Sequence, residues 1–86
     1  MMNVDKAREL VAEFDKKVYL HKVEQANKLV HRVEVNVIDS ATRGKKKVDI
    51  SINEYHDATI IQLATAEIEK AGYTVEVRQH YLTIGW

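Results

Sequence analysis

The 86-residue chain contains no cysteine and no proline, and it has glycine only at 44, 72 and 85. Without cysteine there is no disulfide, no thiolate metal site and no thiol nucleophile, and the cytoplasm is the simplest expected compartment. Without proline, and with glycine so sparse, long unbroken elements are expected and no linker or low-complexity segment. Three isolated glycines also make neither a phosphate-binding loop nor a dinucleotide-binding turn. Charge of one sign is missing as well, since 13 Lys and Arg balance 13 Asp and Glu. That balance argues against a duplex nucleic-acid binder, whose affinity rests on several cations neutralising phosphates together. Long apolar runs are absent: the opening MMNVDKARELVAEF has no stretch of signal-peptide length, and no window approaches the ~20 apolar residues needed to cross a bilayer.

What is present reads as one domain over residues 1–86, with a modest core. Apolar residues recur at Val4, Ala7, Val11, Phe14 and Val18, a three-four spacing that makes one stripe of an amphipathic helix. Asn3 suits the N-cap, and Asp5 lies in the first turn, where the helix dipole favours an anion. The spacing slips, then resumes as Val23, Ala26, Val30, Val33 and Val37, with Leu29 and Ile38 beside it. Because YLHKV at 19–23 holds no breaker, the expectation is one amphipathic helix across 1–43 that ends before Gly44. At ~1.5 Å per residue that rod is longer than so small a domain can cover. Two competing readings are a helical hairpin folded back near Leu20, and a strand over VEVNV at 33–37.

The remaining residues, 44–86, form a β-α-β-β core. KKKVDISIN alternates, with Val48, Ile50 and Ile52 on one face and Asp49, Ser51 and Asn53 on the other, as in a half-buried strand. Asn53 is the expected cap of a second helix over 54–71, whose stripe is Ile60, Ile61, Ala64, Ile68 and Ala71, and Gly72 ends it. A turn at Gln79 and His80 sets Val77 opposite Leu82, Val75 opposite Ile84 and Tyr73 opposite Trp86. Trp86 is then a lid on the core, worth ~3 kcal/mol if fully buried, the competing reading being an exposed anchor for a partner. The fold class is α+β: a long helix, then β-α-β-β, with a three-stranded mixed sheet packed by helices on one face. The crossover rule makes the first two strands parallel, and the last is placed between them.

Gly44, Val48, Ile50 and Ile52, then Gly72, Tyr73, Val75 and Val77, then Tyr81, Leu82, Thr83, Ile84 and Trp86 carry a resemblance. Over about residues 40–86 the chain resembles small phage and prophage proteins, mostly of unassigned function, that end in such a hairpin. Those proteins place an Asp-, Asn- and Gly-rich turn before the last strand, where this chain has Arg78-Gln79-His80. The resemblance implies a phage accessory protein acting inside a bacterial cell, and it implies no chemistry.

Candidate chemistry is thin. His21 and His31 are ten residues apart, about 80° around and ~15 Å along a helix, and cannot share a metal ion. Glu54, His56 and Asp57 cluster at the expected start of the second helix, where acids suit the dipole without any ligand. Ser40 and Ser51 have no nucleophile motif around them, so neither enzyme activity nor a cofactor or metal is expected. Arg43, Lys45, Lys46 and Lys47 are the only concentrated charge, suited to nucleic acid or an acidic partner, and equally to the carbonyls at a helix end. Self-association is expected through Val4, Ala7, Val11, Phe14 and Val18. The leading functional expectation is a non-enzymatic interaction protein that binds and modulates or inhibits a bacterial host protein, one concerned with defence among the options. The alternatives are a small nucleic-acid-binding factor using the RGKKK segment, and oligomeric sequestration of a small nucleotide.

Overall fold

A computed structural model describes residues 3–55 and 57–86. Its dominant element is α1, Val4–Thr42, a continuous helix of 39 residues. There is no fold-back near Leu20 and no strand over residues 33–37. Alternation in VEVNV is overridden because Val33 and Val37, one turn apart, enter the core while Val35 between them faces solvent. Asn3 caps the helix, its Oδ1 accepting from the Lys6 amide at 2.9 Å. At the other end Gly44, with φ of 78°, takes the left-handed turn. The Lys45 amide then donates to the Ser40 carbonyl and the Gly44 amide to that of Ala41, which satisfies carbonyls the helix leaves free.

Strand β1, Lys47–Ser51, follows, then α2, Ala58–Lys70, then the hairpin of β2, Thr74–Val77, and β3, Tyr81–Gly85. The strand order is β1-β3-β2. The expected mixed sheet is corrected: both neighbouring pairs are antiparallel. β1 and β2 do run the same way, but the crossover through α2 leaves a gap one strand wide between them, and β3 turns back into it. Every pairing in the sheet is therefore a pairing with β3. The register places Val75 opposite Ile84 and Val77 opposite Leu82, as the alternation requires.

The core is one layer of side chains between the sheet and the two helices. Leu29, Ala64, Leu82 and Ile84 have no exposed surface, with Ala26, Val33, Val37, Ile50, Ile52, Ile61 and Ile68 around them. On α1 the centre of the buried face is Leu29, and the expected Val30 lies at its margin, while Ile38 faces solvent. Helix α2 starts later than expected, at Ala58, because Asp57 rather than Asn53 caps it. Asn53 instead sits in the preceding turn, where its Oδ1 meets His80 Nδ1 at 3.1 Å across the sheet.

Trp86 stacks edge-on against Tyr73, with centroids 6.5 Å apart, and its amide donates to the Lys46 carbonyl. It remains 40% exposed, so it borders the core and does not seal it. The ~3 kcal/mol expected for full burial falls accordingly. Replacing Trp86 with Ala is predicted to cost ~1.5 kcal/mol, whereas Leu82→Ala, in the central strand, costs ~3 kcal/mol, both read from urea unfolding midpoints. Equal costs would contradict the placement of these two side chains.

Candidate functional site: an uncovered helical arm and two recesses

The sheet and α2 cover α1 only along its C-terminal half. The molecule measures 65 × 22 × 16 Å, a small body with a rod projecting from one end. Ala26 is the first fully buried residue of α1, and Lys22 is the first to reach the body, its Nζ lying 3.1 Å from Asp57. Before it runs an arm that carries the sequence-predicted stripe. Val4 is 62% exposed and Phe14 65%; Val11 and Val18 are exposed too, and Ala7 is half-buried by its own helix. Leu10, Tyr19 and Leu20 add apolar surface that the three-four spacing alone does not select. Lone exposed apolar residues are ordinary, whereas a row of them along one helix face makes an extended apolar surface.

The RGKKK segment lies at the far end of the body and does not act as a single patch. Arg43 is drawn back to Asp39, 3.5 Å away on the last turn of α1. Lys45 and Lys47 instead line a polar recess of about 360 Å³ with Asp49, Arg78, Tyr81 and Thr83. The sheet thus brings two separate sequence features, the basic turn and the Arg78–Tyr81 pair, to one place. Arg78 lies over the Tyr81 ring, 5.6 Å from its centroid, and is paired with Glu76 at 3.0 Å. Asp49 accepts a 2.7 Å hydrogen bond from the Thr83 hydroxyl. Two carboxylates among these cations moderate the charge. Lys46 is exposed and does not line this recess.

A second recess, which sequence reasoning missed, lies between α2 and the end of the sheet that carries the hairpin turn. It is apolar, has a volume of about 570 Å³, and is lined by Ile52, Tyr55, Ile61, Ala66 and Val77 among others. Val77 is 56% exposed here, and the Thr65 hydroxyl has no partner among the described residues. The only sequence signal was that Val77 follows the inward parity of β2 yet pairs at the very end of that strand.

The acidic cluster resolves into structural contacts. Glu54 pairs with Arg32 of α1, and Asp57 both caps α2 and pairs with Lys22. His56, the third member, lies outside the described residues. His21 and His31 are exposed, and they stand ~15 Å apart along α1. No helix among the described residues is long and apolar enough to cross a membrane. Comparison with known proteins finds no family model, no curated protein and no solved structure that matches the chain.

Asp57 is held below the ordinary carboxylate range, first by the hydrogen bond from the Thr59 amide and then by Lys22. A carboxylate depressed in the folded state stabilises it at neutral pH. That contribution falls as pH drops through the ordinary aspartate range and is gone below the depressed native value. Asp57→Asn, which keeps a capping oxygen but loses the charge, should flatten this acid-limb dependence of the melting temperature. Asp57→Ala should lower the melting temperature at pH 7 as well. An unchanged acid limb in Asp57→Asn would assign the dependence to other carboxylates.

Proposed function

We propose that the protein is a non-enzymatic interaction protein: copies join through the α1 arm, and the body presents its recesses to a protein partner in a bacterial host, which it modulates or inhibits. The observation that carries this reading is the exposed apolar row from Val4 to Val18, which nothing among the described residues covers. Water-exposed apolar area of that extent is stabilised by burial against another surface, at ~25 cal/mol per Å². The apolar recess beside Val77 adds a place for an apolar side chain of the partner. The likeness of residues 40–86 to phage and prophage proteins supports a bacterial host as the setting.

A second reading has its own observation, the convergence of Lys45, Lys47, Arg78 and Tyr81 on the polar recess. Cations beside an exposed aromatic suit a phosphate with an adjoining base. On that reading the chain is a small nucleic-acid-binding factor, or its copies hold a small nucleotide.

Light scattering over a dilution series tests the leading reading. A mass that falls toward 9.9 kDa on dilution is expected. Phe14→Glu should be monomeric throughout, with the helical circular dichroism and melting temperature of the wild-type chain at its highest dilution. A chain that stays at its monomer mass at every concentration overturns self-association. Tagged protein recovered from a bacterial host then separates the two readings. A stoichiometric protein that survives nuclease treatment supports the first. Recovery that nuclease abolishes, and that Lys45→Glu with Lys47→Glu also abolishes, supports the second.

A further inference from the structure

We infer that two copies pair through their arms antiparallel, in one defined register that sets Arg8 of each arm against Asp15 of the other. This rests on the reading of the arm as a self-association element and specifies its geometry. The stripe assigns heptad positions: Val4, Val11 and Val18 fall at a, and Ala7, Phe14 and His21 at d. The flanking positions are then Arg8, Asp15 and Lys22 on one side, and Asn3, Leu10, Lys17 and Glu24 on the other.

Charge separates the two orientations. Side-by-side parallel arms would place Lys17 of each against Lys22 of the other, and Leu10 against Asp15, so the flanks carry repulsion and a desolvated carboxylate. In the antiparallel arrangement residues on the same flank face each other, and Arg8 meets Asp15 twice by symmetry. Within one chain Arg8 makes only a 3.9 Å contact with Asp5, and Asp15 is in no ion pair among the described residues. Asp15 is therefore open to a partner, and Arg8 is held only by that long, exposed contact. Glu24 falls beside Asn3 of the other arm, an acid next to a helix N-terminus, where the dipole favours it.

Charge and packing also select the register. With Val11 opposite Phe14, the layers become Val4 with His21, Ala7 with Val18, and Val11 with Phe14. Each small residue of the inner layers then faces a larger one, whereas parallel arms stack Ala7 on Ala7 and Phe14 on Phe14. Sliding by one heptad in one direction sets Arg8 against Arg8, and in the other sets Asp15 against Asp15.

The body imposes the same answer sterically. Val18, Lys22 and Ala26 stand on successive turns of one side of α1, and Lys22 and Ala26 are already taken by the body. A parallel partner following the stripe meets that body at Lys22, and the two bodies compete for the same space. An antiparallel partner overlaps from Val4 to His21, about 27 Å of helix, and ends where the body begins. The bodies then stand at opposite ends of a rod. Burying both stripes with their flanking stems approaches the roughly 1,000 Å² at which specific interfaces begin, so a dimer that dissociates on dilution is expected.

Because the chain has no cysteine, single introduced cysteines report the geometry without background. Val4→Cys and His21→Cys, mixed and mildly oxidised, should form the mixed disulfide dimer, while Val4→Cys alone should not cross-link to itself. Asp15→Arg should weaken dimerisation about tenfold in light scattering, and adding Arg8→Asp should restore it, since the swap exchanges the partners of each pair. Efficient self-cross-linking of Val4→Cys, or a double variant no better than Asp15→Arg, would overturn the antiparallel register while leaving self-association intact. A wild-type chain that is monomeric at all concentrations would remove both.

Discussion

Coverage of α1 is the constraint from which the rest of the molecule follows. A continuous 39-residue helix is far longer than the body that the remaining residues can build, and nothing in residues 19–23 allows it to turn back. Helix α2 and strand β1 both pack on its C-terminal half, where Ala26, Leu29, Val33 and Val37 form the floor of the core. Everything N-terminal to Lys22 must then be either solvent-exposed or covered by another molecule. The arm is a geometric remainder, and its apolar stripe gives that remainder a chemistry.

Within the body the corresponding dependence is on β3. It is the only strand with two neighbours, and Leu82 and Ile84 point from it into the centre of the layer between sheet and helices. β1 and β2 are both edges, and the apolar recess opens at the turn end of the sheet, where Ile52, Val77 and Gln79 meet residues of α2. On the opposite face the polar recess arises because β1, β3 and the end of the hairpin place Lys47, Thr83 and Arg78 side by side.

Much of this was legible before any coordinates. The N-cap at Asn3, the end of α1 at Gly44 and the hairpin register all follow from local spacing and from residues whose preferences are strong. The start of α2 was not legible, since Asn53 and Asp57 are both good caps. The choice between them falls to Asp57, where Lys22 of α1 reaches it, while Asn53 finds His80 instead. Nor could alternation have settled VEVNV, a pattern compatible with strand and helix alike; the contact of Val33 and Val37 with the rest of the core decided it. The basic segment read as one patch because its residues are consecutive, yet a helix end and a strand start send consecutive side chains to different neighbours.

The amino-acid sequence by itself determined the elements, their order, the inward faces of the strands and the unusual length of the first helix. These depend on periodicity, caps and turn residues, which act over a few positions of chain. Tertiary structure alone decided where along α1 the body sits, that β3 lies between two antiparallel neighbours, that Trp86 stays partly exposed, and that a groove opens beside Val77. Those outcomes depend on volumes filled and charges met between residues distant in sequence, and no local pattern encodes them.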